Sequence, residues 1–382
     1  MESSSMNLSF IKNIINAENQ VVNNLKEIRS NGKPIYIYGA GSYAKMLYDD
    51  LVLMGFQISG FLVDDIYYTP GMHVDNLPVS RISDIVLQEN IPANIVIGFT
   101  NSEDAKKKLT LSSATHYVWE LDAFPAQCHN QITYSYVIDN LNEFERVYAW
   151  CSDEISRKAL INYINCKITG LSSYLKEFHK GGGNSCGDHQ YFVNDIINLS
   201  DSEVFVDCGS FDGDTISKFI EVVGGKYNRI CCFEPSLDNY QRLIERINLE
   251  NINDVDVFQI GTWDSKDELF FSESGSTSGI SSADSMSKIN VDSLDNVLSY
   301  VENISYIKMD VEGAELKSLV GAQNIIRKYH PKLAICVYHK KEDLLEIPRY
   351  IKELNPNYKL YFRQHSPISL EFVCYAIDST NG

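Results

Sequence analysis

Val206-Asp207-Cys208-Gly209-Ser210-Phe211-Asp212-Gly213-Asp214-Thr215 follows an apolar, strand-like run, and Cys231-Cys232-Phe233-Glu234-Pro235 closes the next one. A strand ending in Asp-x-Gly-x-x-x-Gly can turn tightly, bring backbone N–H groups close to a ligand and enter a helix without a Cβ clash. Glu234, at the tip of the following strand, is placed to accept hydrogen bonds from ribose hydroxyls. A nucleoside-containing cofactor is therefore expected. Pyrophosphate favours G-x-G-x-x-G and a helix N-terminus free for an anion, whereas this loop carries Asp207, Asp212 and Asp214. Three carboxylates repel a pyrophosphate but suit a ligand with an ammonium and a sulfonium group, which describes S-adenosylmethionine. Methyl transfer is the expected chemistry; an ordinary strand-to-helix turn is the plain alternative.

A second constellation is Tyr306-Ile307-Lys308-Met309-Asp310-Val311-Glu312-Gly313-Ala314-Glu315, a buried-type strand that ends in clustered acids. Acids this close repel one another and raise at least one pKa, which is how a general base is made. In an open α/β sheet, ligands bind outside the carboxyl ends of the strands, so Asp310 shares a rim with Asp207 and Glu234. Glu315 reads as a helix cap or packing residue. The next strand ends in Val337-Tyr338-His339-Lys340, placing His339 beside Asp310 with a near-neutral pKa suited to proton transfer. Asp310 or His339 is the expected base, Glu312 the group orienting the acceptor, and Tyr338, Arg363 and His365 the acceptor-binding residues. Trp263 can stack on adenine or sit in the core. Asp, Glu and His can ligate a divalent ion, but no compact ligand spacing appears, so no metal is expected.

These groups need strands to carry them. Apolar runs at 204–207, 230–233, 255–260, 306–309, 333–337, 359–362 and 371–377 alternate with helical stretches, and the last two, lying close together, suit an antiparallel edge pair. The Ser/Gly-rich stretch 272–287 reads as a mobile loop over the acceptor site or as a plain surface excursion. Upstream, Ile35 to Tyr38 ends in Gly39-Ala40-Gly41-Ser42-Tyr43-Ala44, and further strands are expected at 58–63, 95–99 and 116–118, with helices at 83–89 and 102–109. That makes a Rossmann-like unit at 34–125. Residues 126–187 read as a helical connector ending in the linker Gly181-Gly182-Gly183-Asn184-Ser185, and residues 1–33 as an amphipathic helix, with Ile11, Ile14, Ile15, Val22, Leu25 and Ile28 at helical spacing.

Two resemblances sharpen these expectations. Asp188-His189-Gln190-Tyr191-Phe192, the Asp207–Gly209 loop, Phe233-Glu234-Pro235, the 307–316 segment and Tyr338-His339-Lys340-Lys341-Glu342-Asp343-Leu344 resemble, in order, the FkbM family of methyltransferases over 188–382. The resemblance implies a class I methyltransferase fold with a mainly parallel seven-stranded sheet, S-adenosylmethionine as donor, and methylation of an oxygen on a sugar or polyketide-like acceptor. It assigns Asp207, Gly209 and Gly213 to the cofactor loop, Glu234 to ribose, Asp310 to the methyl-transfer centre, and Gln190 and Tyr191 to the neighbourhood of the cofactor. Residues 34–125 resemble the nucleotide-sugar-binding domain of bacterial sugar acyltransferases through Tyr38-Gly39-Ala40-Gly41, Gly60-Phe61-Leu62-Val63-Asp64 and Pro78-Val79, which implies a sugar-nucleotide site at Gly39, Gly41 and Asp64. The expected fold is thus α/β with two Rossmann-like doubly wound domains.

Bulk properties narrow the partners. With 382 residues, a net charge of -18 and a hydrophobic fraction of 44%, the chain has ordinary cores and an acidic surface that disfavours nucleic acid and anionic lipid. A carbohydrate or nucleotide-sugar acceptor is the expected partner, and self-association is compatible. Nine cysteines without C-x-x-C spacing suit reduced thiols of a cytoplasmic protein, and neither a signal peptide nor a membrane span is expected. Two other functions compete: an NAD-dependent oxidoreductase on Gly39-x-Gly41-x-x-Ala44, though no Tyr-x-x-x-Lys follows, and a non-catalytic nucleotide-sugar-binding protein.

Overall fold

Asn19 starts the first long helix by accepting from the Val22 amide at 3.2 Å, and Gly32 ends it in the left-handed region, giving α1 at Gln20–Asn31. Its buried residues Val21, Leu25 and Ile28 pack on an N-terminal sheet. The computed structural model describes residues 10–86, 92–99, 105, 107, 109, 117–120, 131–179, 190–272, 279–280 and 287–379. Ahead of α1, Phe10 and Ile14 belong to a different core: Phe10 stacks on Phe144 with ring centroids 6.0 Å apart. The apolar stripe read as one helix therefore splits between two hydrophobic cores.

The N-terminal sheet contains β1 (Ile35–Tyr38), β2 (Ile58–Val63), β3 (His73–Val74), β4 (Leu77–Arg81), β5 (Asn94–Ile97) and β6 (Tyr117–Glu120) in the order β3-β4-β2-β1-β5-β6. All neighbours are parallel except β3 and β4. Helix α2 (Ser42–Leu53) follows β1, and α3 (Ile82–Val86) follows β4. The remainder of the helix expected at 83–89 lies outside the described residues. So does most of the one at 102–109, although 105, 107 and 109 are helical.

Three helices come next, α4 (Tyr134–Asp139), α5 (Leu141–Trp150) and α6 (Glu154–Thr169). They are embedded in the core of the C-terminal sheet, where Tyr163 of α6 stacks on Phe372 at 4.3 Å. The segment expected to connect two units is packed as part of the second. The linker Gly181 to Ser185 lies outside the described residues.

The second sheet collects the seven expected strands: β7 (Val204–Cys208), β8 (Arg229–Phe233), β9 (Val255–Phe258), β14 (Tyr306–Met309), β15 (Lys332–Cys336), β16 (Tyr358–Gln364) and β17 (Phe372–Asp378). Their order is β16-β17-β15-β14-β7-β8-β9. Only β17 runs against its neighbours, pairing antiparallel with both β15 and β16. The fold is thus α/β, with the mainly parallel seven-stranded sheet anticipated for a methyltransferase. Asp207 and Lys308 apart, the central strands are mostly apolar on both faces because helices cover them, among them α7 (Asp214–Val222), α8 (Leu237–Leu249), α9 (Leu294–Val297), α10 (Glu315–Val320), α11 (Gln323–Tyr329) and α12 (Asp343–Leu354).

A third sheet was not expected. Between β9 and β14 the chain forms β10 (Gly261–Thr262), β11 (Asp267–Ser272), β12 (Gly279–Ile280) and β13 (Ser287–Asp292), ordered β10-β13-β11-β12. The stretch anticipated as a loop at 272–287 thus contains β12, paired with β11; residues 273–278 and 281–286 lie outside the described residues. Seven cysteines are described, and all are buried. Among the described residues, no helix is long and apolar enough to cross a membrane.

Candidate active site at the rim of the C-terminal sheet

The carboxyl ends of β7, β8 and β14 open into a cavity of about 360 Å³. Its floor is the turn after β7. Gly209 has φ +78, and a Cβ there would lie 1.8 Å from the Asp310 carbonyl oxygen, so the two strand ends meet only because this residue is glycine. Gly213, at φ +87, starts α7 where a Cβ would strike Leu243; it shapes the turn and does not line the cavity.

Glu234 fixes that turn from the next strand. One carboxylate oxygen accepts from the Phe211 amide at 2.9 Å and the other from the Ser236 amide at 2.9 Å. Glu234 lines the cavity, and its carboxylate keeps further acceptor capacity. Burial raises its pKa, and the two amides oppose the rise.

The three loop acids separate in space, which corrects the charge reading of this turn. Asp207 is fully buried and does not line the cavity; its Oδ1 lies 3.0 Å from Lys308 Nζ. Asp212 pairs with Arg246 at 3.0 Å. Asp214 alone of the three lines the cavity. The negative wall is supplied instead by Asp214, Glu234, Asp310, Glu312 and Glu371. Lys308 also lines it, donating to the Gly209 carbonyl at 2.6 Å, with its ammonium 5.0 Å from the Tyr191 ring. A lysine inside a buried strand was the available signal for this pair, since such a charge is kept only when compensated.

Asp310 is the hub. Its carboxylate accepts from the Tyr191 hydroxyl at 2.8 Å and the Tyr338 hydroxyl at 3.3 Å. Gln190, in turn, donates to the Tyr191 oxygen at 3.0 Å and to the Glu371 carboxylate. Burial favours the neutral acid, yet Lys308, His339 and the Tyr191 hydrogen bond outweigh it and pull the Asp310 pKa below the usual carboxylate value. A carboxylate held ionised in this way is a weak proton acceptor.

His339 stands behind this wall and does not line the cavity. Its Nδ1 is 2.9 Å from Glu315 Oε1, and its Nε2 is 3.5 Å from Asp310 and 3.4 Å from Glu312. Burial disfavours the imidazolium, but Glu315 and Glu312 outweigh it and raise the pKa well above the ordinary histidine value. Set back from the cavity among carboxylates that favour the imidazolium, the ring is poorly placed for the expected role of base. Glu315 is fully buried at the start of α10, accepting from the Val311 amide at 2.9 Å and the Gly313 amide at 3.3 Å. Asp310, Glu315 and His339 also bring ligand-type atoms within 4.8 Å of one another, a juxtaposition that linear spacing did not reveal.

Two expected acceptor residues lie elsewhere. Arg363 is buried and pairs with Asp153 at 2.8 Å and Asp195 at 2.7 Å, tying β16 to α6. His365 Nε2 meets the Tyr375 hydroxyl at 2.7 Å, and that hydroxyl donates to the Gln190 carbonyl, so His365 sits one residue behind the site. Neither lines the cavity, whereas Trp263 and Tyr338 do. In the N-terminal sheet, Gly39 (φ +126) is packed against the Gly98 carbonyl, Gly41 opens α2 with free space where a Cβ would stand, and Asp64 accepts from the Tyr38 hydroxyl at 2.9 Å. None of these reaches the cavity. Glu371 was missed altogether, because no motif spacing links it to Asp310.

Residues 207–358 match the family model described as a methyltransferase FkbM domain. The methyltransferase FkbM of Methylobacillus flagellatus KT shares the fold, with a TM-score of 0.71 at 20% identity over 97% of this chain and 99% of that one. An rRNA methylase from Streptococcus thermophilus is far more distant, with a TM-score of 0.32 at 14% identity over 47% of this chain and 89% of that one. So is the Aeropyrum pernix fibrillarin in complex with natively bound S-adenosyl-L-methionine, with a TM-score of 0.32 at 10% identity over 48% of this chain and 70% of that one. No curated protein matches the chain.

Proposed function

We propose that this enzyme, a methyltransferase by the FkbM domain it carries at 207–358, takes its methyl group from S-adenosylmethionine and delivers it to a hydroxyl of a carbohydrate. The observation that carries the donor is Glu234, whose carboxylate braces the glycine turn and borders the cavity. An acid at that strand tip suits ribose hydroxyls. Gly209 permits close backbone approach, Phe211, Val291 and Trp263 offer apolar surface for a base, and the surrounding carboxylates suit a cationic donor. The donor supplies an electrophilic methyl group on a sulfonium.

The chain's own residues would do the rest by placement. Asp310 and Glu312 accept hydrogen bonds from acceptor hydroxyls and hold one oxygen in line with the methyl; Tyr191, Tyr338 and Gln190 keep Asp310 in position. A wall rich in carboxylates favours a polyhydroxylated acceptor, which supports the carbohydrate assignment. A nucleotide-linked sugar held at Gly39, Gly41 and Asp64 would fit the same view, because Gly41 leaves the N-terminus of α2 open to a phosphate.

Thermal stabilisation measured in parallel with S-adenosylhomocysteine, NAD and nucleotide-sugars tests this, since a ligand of the native state must raise its stability. The expected shift comes with S-adenosylhomocysteine; a shift with NAD alone would refute methyl transfer from this donor. Glu234→Ala should weaken S-adenosylhomocysteine binding by roughly 10- to 100-fold, the value of about 1.5–3 kcal/mol in hydrogen bonds to a charged group. Asp310→Asn should keep that binding and lose turnover.

A further inference from the structure

We propose that Glu371 is the catalytic residue that accepts the proton of the acceptor hydroxyl, a role that rests on the methyl-transfer reading above.

Five carboxylates line the cavity, and four are committed. Glu234 is held by the Phe211 and Ser236 amides. Asp214 accepts from the Thr215 amide at 2.7 Å. Asp310 accepts two tyrosine hydroxyls and stands near Lys308, which keeps it ionised. Glu312 faces the His339 ring. Glu371 is held by the side-chain amide of Gln190, a neutral donor.

Its placement is built into the backbone. Glu371 precedes β17 with φ 57, a left-handed conformation that costs a non-glycine residue of order 1–3 kcal/mol. The conformation is fixed from both sides, by the His365 amide donating to the Glu371 carbonyl at 3.0 Å and by the Val337 amide donating to the Phe372 carbonyl at 2.9 Å. Pairing of Cys336 with Val373, continued outward, brings Glu371 opposite Tyr338. Phe211 (φ 48) and Glu312 (φ 53) line the same cavity in the same strained region, so the rim is over-determined at three points.

The electrostatics agree with that geometry. Burial and then the Asp310 charge raise the Glu371 pKa to about 7, while the Gln190 hydrogen bond, His339 and Lys308 oppose the rise; Tyr191, Tyr338 and Cys336 complete the titratable neighbours. A proton acceptor works best with a pKa near the operating pH. In the reaction the acceptor oxygen forms its bond to the methyl carbon, the C–S bond breaks with its electron pair going to the leaving thioether, and the hydroxyl proton passes to the Glu371 carboxylate. Solvent then receives that proton.

The test uses full-length protein labelled with carboxyl-¹³C glutamate and complexed with S-adenosylhomocysteine, titrated by NMR beside Glu371→Gln. One carboxyl signal should titrate near pH 7 and be missing from the variant; a wild type in which every glutamate titrates below about pH 6, within the ordinary spread of such groups, overturns the proposal. Turnover on a panel of nucleotide-sugars should fall roughly 100-fold or more in Glu371→Gln, with the rise of kcat toward alkaline pH abolished. Undiminished turnover overturns it, as does loss of S-adenosylhomocysteine binding by the variant, which would make Glu371 a cofactor ligand. Where no acceptor on the panel turns over, the carboxyl titration alone decides. Failure of the wild type to bind S-adenosylhomocysteine is a different outcome, and removes the methyl-transfer reading itself.

Discussion

Lys308 Nζ stands 3.0 Å from Asp207 Oδ1, beneath the glycine turn, with Asp207 fully buried and Lys308 2% exposed. The contact is a charge pair more than an aligned hydrogen bond, since neither Asp207 oxygen meets a hydrogen-bond partner. Burial disfavours the ammonium, but Asp207 and Asp310 outweigh it and hold Lys308 protonated. Removing one partner strands the other. Lys308→Met should cost about 3–5 kcal/mol of unfolding free energy, and the double variant Lys308→Met/Asp207→Leu should recover much of it. Denaturant unfolding of the three variants checks this; equal losses in single and double variants would show that the pair is not energetically coupled.

Two glycine turns that look alike in sequence differ in the space around them. Gly209→Ala forces a Cβ to 1.8 Å from the Asp310 carbonyl at φ +78, whereas Gly41→Ala enters open space at φ −86. The first should destabilise by about 2 kcal/mol or more and abolish S-adenosylhomocysteine binding. The second should change stability by less than about 1 kcal/mol. Thermal unfolding and calorimetry of both variants give the comparison, and a tolerated Gly209→Ala would contradict the close approach.

Arg363 separates a structural role from a binding one. Its guanidinium joins Asp153, Asp195 and Ser156, outside the cavity lining. Arg363→Met should lower stability by about 1–3 kcal/mol, discounted from a fully buried pair because Asp153 and Asp195 are partly exposed. Affinity for S-adenosylhomocysteine and KM for any acceptor should hold; a selective rise in KM would return Arg363 to the acceptor site.

The Glu371 carboxyl gives a pH dependence with a definite sign. Its folded pKa, about 7, lies above its ordinary value of 4.5, so the native state binds this proton more tightly than the unfolded chain does. The contribution is fully present below about pH 4.5 and is lost as pH rises to about 7. Glu371→Gln should remove this component, so the stability of the variant relative to wild type should rise across that window and level off above it. Melting curves of both proteins at matched pH values measure the difference, and a flat difference would contradict the raised pKa.

The sequence by itself determined the seven strands, because apolar runs of strand length ended in turn residues, and it placed Asp207, Glu234 and Asp310 at a common rim, because parallel strands in an α/β sheet end on the same side; Glu234 and Asp310 line the cavity there, while Asp207 is buried beneath it. It also carried Lys308, legible as a charge in a buried strand. Tertiary structure decided the rest. Which of Asp207, Asp212 and Asp214 faces the cavity depends on where Lys308 and Arg246 lie, and no local spacing encodes either distance. Whether His339 is a base or a cation depends on how close its ring comes to Asp310, Glu312 and Glu315, which the turn after the neighbouring strand carries. Glu371 joins the site because β17 runs against β15, so that the start of an antiparallel strand arrives where the parallel strands end, and the direction of a strand is fixed by packing across the sheet.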